Sequence, residues 1–143
     1  MTNKAAVPDF KPSKEGLRQI LGDLEADIME LVWARGQCTV RDVYEGLLES
    51  RERELAYTTV MTVMGRLADK ALLLREVIGN THVYMPVLQR QAYLARVVGE
   101  VLDALLMSHR EQTISQLASR IKHVDQSELS RLEAALAKRK GQG

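Results

Sequence analysis

Apolar residues recur at Val60, Val63, Met64, Leu67 and Ala71, the spacing of one stripe on a 3.6-residue period, and this predicts a helix opening near Ala56. Its opposite side carries Thr58, Met61, Thr62, Gly65, Arg66 and Asp69, small, hydroxylated or charged groups around a single methionine. After Lys70 the pattern changes. Leu72 to Ile78 and His82 to Met85 are rich in β-branched, aromatic and aliphatic residues, and Gly79-Asn80 between them is a two-residue turn pair, so a β-hairpin is expected. Upstream, Leu24, Ile28, Leu31 and Val32 predict a helix from Gly22 to Arg35 that buries this stripe and stops at Gly36. Gly22 and Glu25 make a weak form of capping box at its start. Trp33 is expected at the edge of the core. Gln37 to Thr39 can add one short strand beside the hairpin. Thr39 and Asp42 then open a second helix, from Val40 to about Ser50, with Val43, Leu47 and Leu48 facing inward. Arg51 to Glu54 is a charged turn.

Helix, short strand, helix, turn, helix, hairpin is the order of a winged helix-turn-helix. In that design the last helix enters the DNA major groove and the hairpin rides along the backbone. Beyond Pro86 the pattern is helical throughout. Leu94, Val97, Val98, Val101, Leu102, Leu105 and Leu106 form a stripe wider than a short hairpin can cover. Ile114, Leu117, Ala118 and Ile121 belong to a second helix. Asp125-Gln126-Ser127-Glu128 is a capping box for a third, with Leu129, Leu132, Ala135 and Leu136 inside and the cationic Lys138-Arg139-Lys140 at its end. Three such helices are too few for a comfortable core of their own, so a two-fold dimer in which they interdigitate is expected. Its seam would use Leu94, Val98, Val101, Leu105, Ile114, Leu117, Ile121, Leu129, Leu132 and Leu136. The expected fold is therefore mainly α with a small antiparallel β-wing. Residues 1–16, polar and containing Pro8 and Pro12, form a flexible arm; 17–87 form the winged helix-turn-helix; 88–143 form a three-helix dimerisation domain.

Composition narrows the function. A chain of 143 residues fits one domain, or a small domain with an oligomerisation segment. One Trp and one Phe leave the core to aliphatic side chains. No apolar run reaches membrane-spanning length, and Met1 to Ser13 holds no apolar run of the kind a secretory signal carries. The single Cys38 allows neither an internal disulfide nor a cysteine metal cluster and reads as a small buried residue. A reducing, cytoplasmic setting without metal or cofactor is expected. His82, His109 and His123 lack the spacing of a metal-ligand motif, and no glycine-rich phosphate loop or GxSxG elbow is present, so an enzyme is not expected. Charge argues less simply. Residues 1–86 hold 11 Lys and Arg against 13 Asp and Glu, a balance of −2, and residues 87–143 hold 9 against 6, a balance of +3. An acidic first half lacks the basic footprint usual for phosphate contacts, although Arg66, Lys70 and Arg75 against Asp69 and Glu76 leave residues 56–86 weakly positive.

One block carries a family resemblance: Ala56-Tyr57-Thr58-Thr59-Val60-Met61-Thr62-Val63, followed by Arg66-Leu67 and Lys70. Leu21-Gly22-Asp23-Leu24-Glu25 through Met29 and Trp33, Thr39-Val40-Arg41-Asp42-Val43, and Tyr84 and Pro86 add to it. Over roughly residues 20 to 140 the chain resembles the penicillinase-repressor family (BlaI/MecI, with the copper-responsive CopY branch). The resemblance implies a homodimeric repressor on a palindromic operator of double-stranded DNA. In such families a sensor, often a membrane metalloprotease, cuts the repressor within its dimerisation half. Carried over by position, Thr58, Thr59, Met61 and Thr62 lie in the groove, Arg66 holds a phosphate, Tyr57 reaches the backbone from the helix start, Lys70 completes the set, and Asn80 and His82 mark the wing. Threonine hydroxyls can bond base edges or phosphates, and their methyls can touch thymine. The competing reading turns Thr59 to the core and uses Tyr57 only for packing. Two departures stand out. The family usually has Gly where this chain has Ala71, and its Asn-Phe cleavage pair falls at Leu117-Ala118 here. The cysteine-rich tail of the copper branch is missing. Gly65 inside the helix allows a close approach to DNA. A winged-helix module that binds protein, and a repressor answering to a small molecule in its helical seam, are the alternatives.

Overall fold

The computed structural model describes residues 9–50 and 54–142. Its helices are α1 (Asp23–Arg35), α2 (Val40–Ser50), α3 (Tyr57–Asp69), α4 (Arg90–Ser108), α5 (Arg110–Ser119) and α6 (Gln126–Gln142), with strands β1 (Leu73–Ile78) and β2 (Thr81–Pro86) between α3 and α4. By internal packing the chain divides into two compact units, Met1–Val98 and Gly99–Gly143. Among the described residues no helix is long and apolar enough to cross a membrane.

The start of the first unit is more ordered than an arm reaching Gly16 would be. The Lys11 amide donates to the Gln19 carbonyl at 2.7 Å, and a 3₁₀ turn (Gly16–Gln19) buries Leu17, with Leu21 buried just after it. Residues 1–8, with Lys4, lie outside the described residues. The α1 helix begins where Gly22 is extended and its amide donates to Glu25 Oε1 at 3.0 Å. Glycine has no side chain for the outgoing half of a capping box, so only this return bond exists. Gly36, with φ +86°, ends the helix and donates to the Val32 carbonyl.

The buried face of α1 is Ala26, Ile28, Met29 and Val32; Leu24 and Leu31, expected inside, are only half-buried. A single stripe cannot describe a helix that packs on α2, α3 and β2 at once. Leu31 instead covers Gly46, where an added Cβ would stand 2.8 Å from Leu31 Cδ2, so α1 and α2 approach closely there. The start of α2 is tied reciprocally: the Asp42 amide donates to Thr39 Oγ1 at 3.1 Å and the Thr39 amide to Asp42 Oδ2 at 2.9 Å. Val40, Val43 and Leu47 are buried, but Leu48, expected inside, is 42% exposed. It follows Leu47 by 100° and points away from the direction shared by Val43 and Leu47. The charged turn at 51–53 lies outside the described residues.

Val60, Met64 and Leu67 of α3 are fully buried and fix that helix against α1 and α2. Ala71 does not extend their stripe. It lies past the helix end, exposed, with φ +62°. The Leu72 amide donates to the Leu67 carbonyl at 2.9 Å and the Ala71 amide to the Ala68 carbonyl at 3.0 Å, the paired bonds of a Schellman turn with alanine at its left-handed position. That turn delivers the chain into β1. The strands pair antiparallel with Arg75 opposite Tyr84 and Ile78 opposite Thr81, and Gly79 takes φ +65° in the connecting turn. Cys38 bridges to Tyr84 through two backbone bonds of 2.9 and 2.8 Å, the short strand expected near Gln37 to Thr39.

The unit does not end at Pro86. Trp33 Nε1 donates to the Leu88 carbonyl at 2.9 Å, the Trp33 and Tyr93 rings lie 5.7 Å apart, and Arg90 pairs with Glu30 at 2.8 Å. Tyr93 and Val97 are buried as a result. The division therefore falls inside α4, after Val98, later than the boundary at 87/88 that the sequence pattern suggests.

In the second unit α5 and α6 follow the expected order, but Ile121 falls in a 3₁₀ turn (Ile121–His123) because α5 stops at Ser119. The capping box of α6 is formed, with Asp125 and Glu128 exchanging backbone-to-carboxylate bonds of 2.8 Å. No residue of α5 or α6 is buried.

A left-handed alanine carries strain that glycine avoids. Ala71→Gly is expected to raise the unfolding free energy by about 1 kcal/mol, read from urea denaturation. A neutral or destabilising result would contradict this turn geometry.

Candidate nucleic-acid interface

Because Val60, Met64 and Leu67 face inward, the opposite side of α3 is left to solvent. Thr58, Thr59, Met61, Thr62, Arg66 and Asp69 are all exposed. Thr59 thus lies with the outer set rather than in the core. Gly65 belongs to the same side, and a Cβ built on it meets no atom within 4 Å, so nothing among the described residues requires glycine there. Arg66 makes no ion pair among the described residues and stands one turn after Thr62 on the same side.

Both ends of the helix are braced. At its start, Tyr57 stacks edge-on against Tyr44 of α2, with ring centroids 5.5 Å apart, and the Arg41 guanidinium lies 5.6 Å from the Tyr57 centroid. Tyr57 packs and is still 37% exposed, so the two readings of this residue are compatible. At the other end, Lys70 Nζ pairs with Glu25 Oε2 at 2.8 Å. The ammonium expected to face DNA is therefore occupied as a strut between the end of α3 and the start of α1. Burial by itself would raise the Glu25 pKa, but the Lys70 hydrogen bond and the Gly22 amide outweigh it and hold the carboxyl below its ordinary 4.5.

Asn80 and His82 are exposed at and beside the wing turn, as are Val77 and Ile78, which makes the tip more apolar than basic. Arg75 supplies an exposed cation on β1. Cys38 is buried, and burial pushes its thiol pKa up, as expected for a packing residue. Among the described residues no three His, Cys, Asp or Glu gather in a cluster suited to a metal ion. Arg41 escaped the sequence reading; its position in the first turn of α2 was a usable signal, but its contact with Tyr57 depends on the α2–α3 packing.

Of the residues expected at a dimer seam, Leu94, Val101 and Leu129 are half-buried. Val98, Leu105, Ile114, Leu117, Ile121, Leu132 and Leu136 are exposed, Val98 by 57% and Leu136 by 61%. Leu102, Leu105 and Leu117 line an open groove together with His109, Thr113 and Arg120.

A compact set of three helices, with the third turned outward and a β-hairpin directly behind it, defines a winged helix-turn-helix protein. The chain belongs to the penicillinase repressor family, whose sequence model matches residues 21–138. It is 41% identical over 121 residues to the transcriptional regulator BlaI of Mycobacterium tuberculosis, in strains CDC 1551 and H37Rv alike, covering 82% of this chain and 83% of that protein. Among solved structures, a cysteine-to-serine mutant of Lactococcus lactis ZitR aligns with a TM-score of 0.41 at 17% identity, over 99% of this chain and 86% of that one. A double mutant of the same protein aligns at 0.38 and 16% identity, over 98% and 85%.

Two predictions concern the supports of this face. Since the folded-state pKa of Glu25 is lowered, its stabilising effect is present above the unfolded value and is lost as pH falls through the folded one. Glu25→Gln is therefore expected to lower the denaturation midpoint at pH 7, with the gap from wild type closing as the pH falls into the acid range. A constant gap would contradict the pairing. Gly65→Ala is expected to stabilise the fold by up to about 1 kcal/mol, measured by thermal melting, because the site is open and helical.

Proposed function

We propose that the protein is a homodimeric, sequence-specific DNA-binding transcriptional repressor that binds a palindromic operator. The observation that carries this reading is the two-sidedness of α3, with Val60, Met64 and Leu67 wholly buried and Thr58, Thr59, Met61, Thr62 and Arg66 left uncovered. Family membership and a 41% identical transcriptional regulator support the same conclusion. In this reading the threonines and Met61 meet base edges in the major groove, Tyr57 and Arg66 contact the backbone, and Asn80 and His82 follow it along the wing. Lys70 contributes by orienting the helix through Glu25. The first unit, which runs on to Val98, serves as the DNA-binding domain, and the helices beyond it serve as the dimerisation domain.

Dimerisation is supported by the exposed apolar residues of α4, α5 and α6, from Val98 to Leu136. A solvated stripe of this kind is unusual on a lone subunit and is removed when two copies pair. Release by a sensor protease, which the family resemblance suggests, draws no support from Leu117-Ala118. That bond lies inside α5, and the Asn-Phe pair is absent.

The test is selection of bound duplexes from a random pool, followed by footprinting and sedimentation. We expect a dimer at micromolar concentration and two half-sites separated by about one helical turn or a multiple of it. Arg66→Ala should weaken selected and unrelated duplexes alike and reduce the salt slope by about one unit, whereas Thr62→Ala should change sequence preference. Gly65→Ala should weaken binding despite its gain in stability. A folded monomer, a single protected half-site, or identical behaviour of the Arg66 and Thr62 variants would contradict this assignment of roles.

A further inference from the structure

The geometry points to Arg41 as a phosphate-binding residue that clamps the DNA backbone beside the start of α3, an assignment that rests on the DNA-binding reading above. Val40, Val43 and Leu47 anchor α2 from one side and leave Arg41 and Glu45 outward, with side chains 69% and 59% exposed. The guanidinium does not wander freely there. It lies over the Tyr57 ring at 5.6 Å, and Tyr57 is itself steadied by Tyr44. An arginine stacked on an aromatic ring uses its face, while the N–H donors along its edges stay available for a bidentate acceptor such as phosphate.

Arg41 makes no hydrogen bond among the described residues, and its carboxylate neighbour, Glu45, stands at 3.6 Å, beyond hydrogen-bond length. Three other cations of this unit are occupied. Lys70 is held by Glu25 and Arg90 by Glu30, each at 2.8 Å, and Arg18 by Asp27. The guanidinium is therefore pre-positioned over Tyr57, the neighbour of Thr58 on the outward face, with its hydrogen-bond donors open among the described residues and the exposed Glu45 carboxylate as its ionic neighbour. The partner chemistry follows from the elements involved. In a helix-turn-helix the helix before the recognition helix crosses the sugar–phosphate backbone, so a cation on α2 meets phosphate rather than a base edge.

Three variants test this: Arg41→Ala, Arg41→Lys and Glu45→Gln, each titrated across a salt series against a duplex selected by the wild-type protein and against a random-sequence duplex. Arg41→Ala is expected to weaken both duplexes by the same factor, roughly tenfold, and to reduce the salt slope by about one. Arg41→Lys keeps the charge but loses the fork and the stack, and should fall between wild type and alanine. Glu45→Gln removes a competing carboxylate and should tighten both complexes. Equal melting temperatures would separate these effects from damage to the fold. Arg41→Ala binding both duplexes like wild type with an unchanged slope would overturn the assignment and leave the repressor reading intact. A loss confined to the selected duplex would also overturn it, since that is the behaviour of a base-reading or positioning residue. Wild-type protein that binds neither duplex would remove both readings together.

Discussion

A helix that is to read another molecule has to be held firmly without being covered, and the first unit is arranged around that constraint on α3. Its anchor is apolar and one-sided: Val60, Met64 and Leu67 are wholly buried against α1 and α2. Additional restraint comes only at the ends. Tyr44 and Arg41 meet Tyr57 at the start, and Glu25 meets Lys70 at the finish, where the Schellman turn at Ala71 also leads the chain back into β1. No support crosses the outer side. The open face around Thr58, Thr62 and Gly65 is the consequence of placing every brace behind the helix or at its tips.

The second unit obeys a different rule. The start of α6 is capped by the Asp125–Glu128 pair, yet α5 and α6 bury none of their residues. Local signals suffice to form a helix but contribute little to tertiary stability, which in proteins comes mainly from packing an apolar face. Ile114, Leu117, Leu132 and Leu136 form such faces, and among the described residues each stays 44% or more exposed. The proposed dimer is thus a requirement of the unit's stability as well as of a two-fold operator.

Much of this was legible in the sequence, and the failures have physical causes. Periodicity locates α3 because one side of that helix is packed and the other is free. The Gly79-Asn80 turn locates the wing because few residues accept its backbone. The same reasoning mistakes the inner faces of α1 and α2. Ala26 and Met29 are buried, and Leu48 is not, because α1 packs on several partners and Gly46 draws α2 close to Leu31. Ala71 continues the 3.6-residue spacing of α3 but belongs to a left-handed turn, a conformation that alanine gives no reason to expect. The extension of the first unit to Val98 depends on Trp33 reaching Leu88 and Tyr93, a contact across some sixty positions that no local pattern encodes. At the interface, exposure of the threonines follows from the pattern, whereas the occupation of Lys70 by Glu25 and the stacking of Arg41 follow only from packing.

The same pairings bear on how the charge of the chain is distributed. A net −2 over residues 1–86 argues against a phosphate partner only if those carboxylates face it. Several do not act alone: Glu25 is met by Lys70, Glu30 by Arg90, and Asp23 and Asp27 by Arg18. With three cations against these four carboxylates, most of the negative charge along α1 is offset and contributes little to the field at the outer side of α3, because opposite charges in contact cancel at a distance and salt screens the remainder within about 10 Å. What that side presents is set by its own residues, where Arg66 faces Asp69 in the next turn and the threonines carry no charge. An interface of this composition gains modestly from attraction to the backbone and correspondingly more from the fit of hydroxyl and methyl groups to base edges. Discrimination between sequences, rather than tight binding to any duplex, is the property such a surface favours.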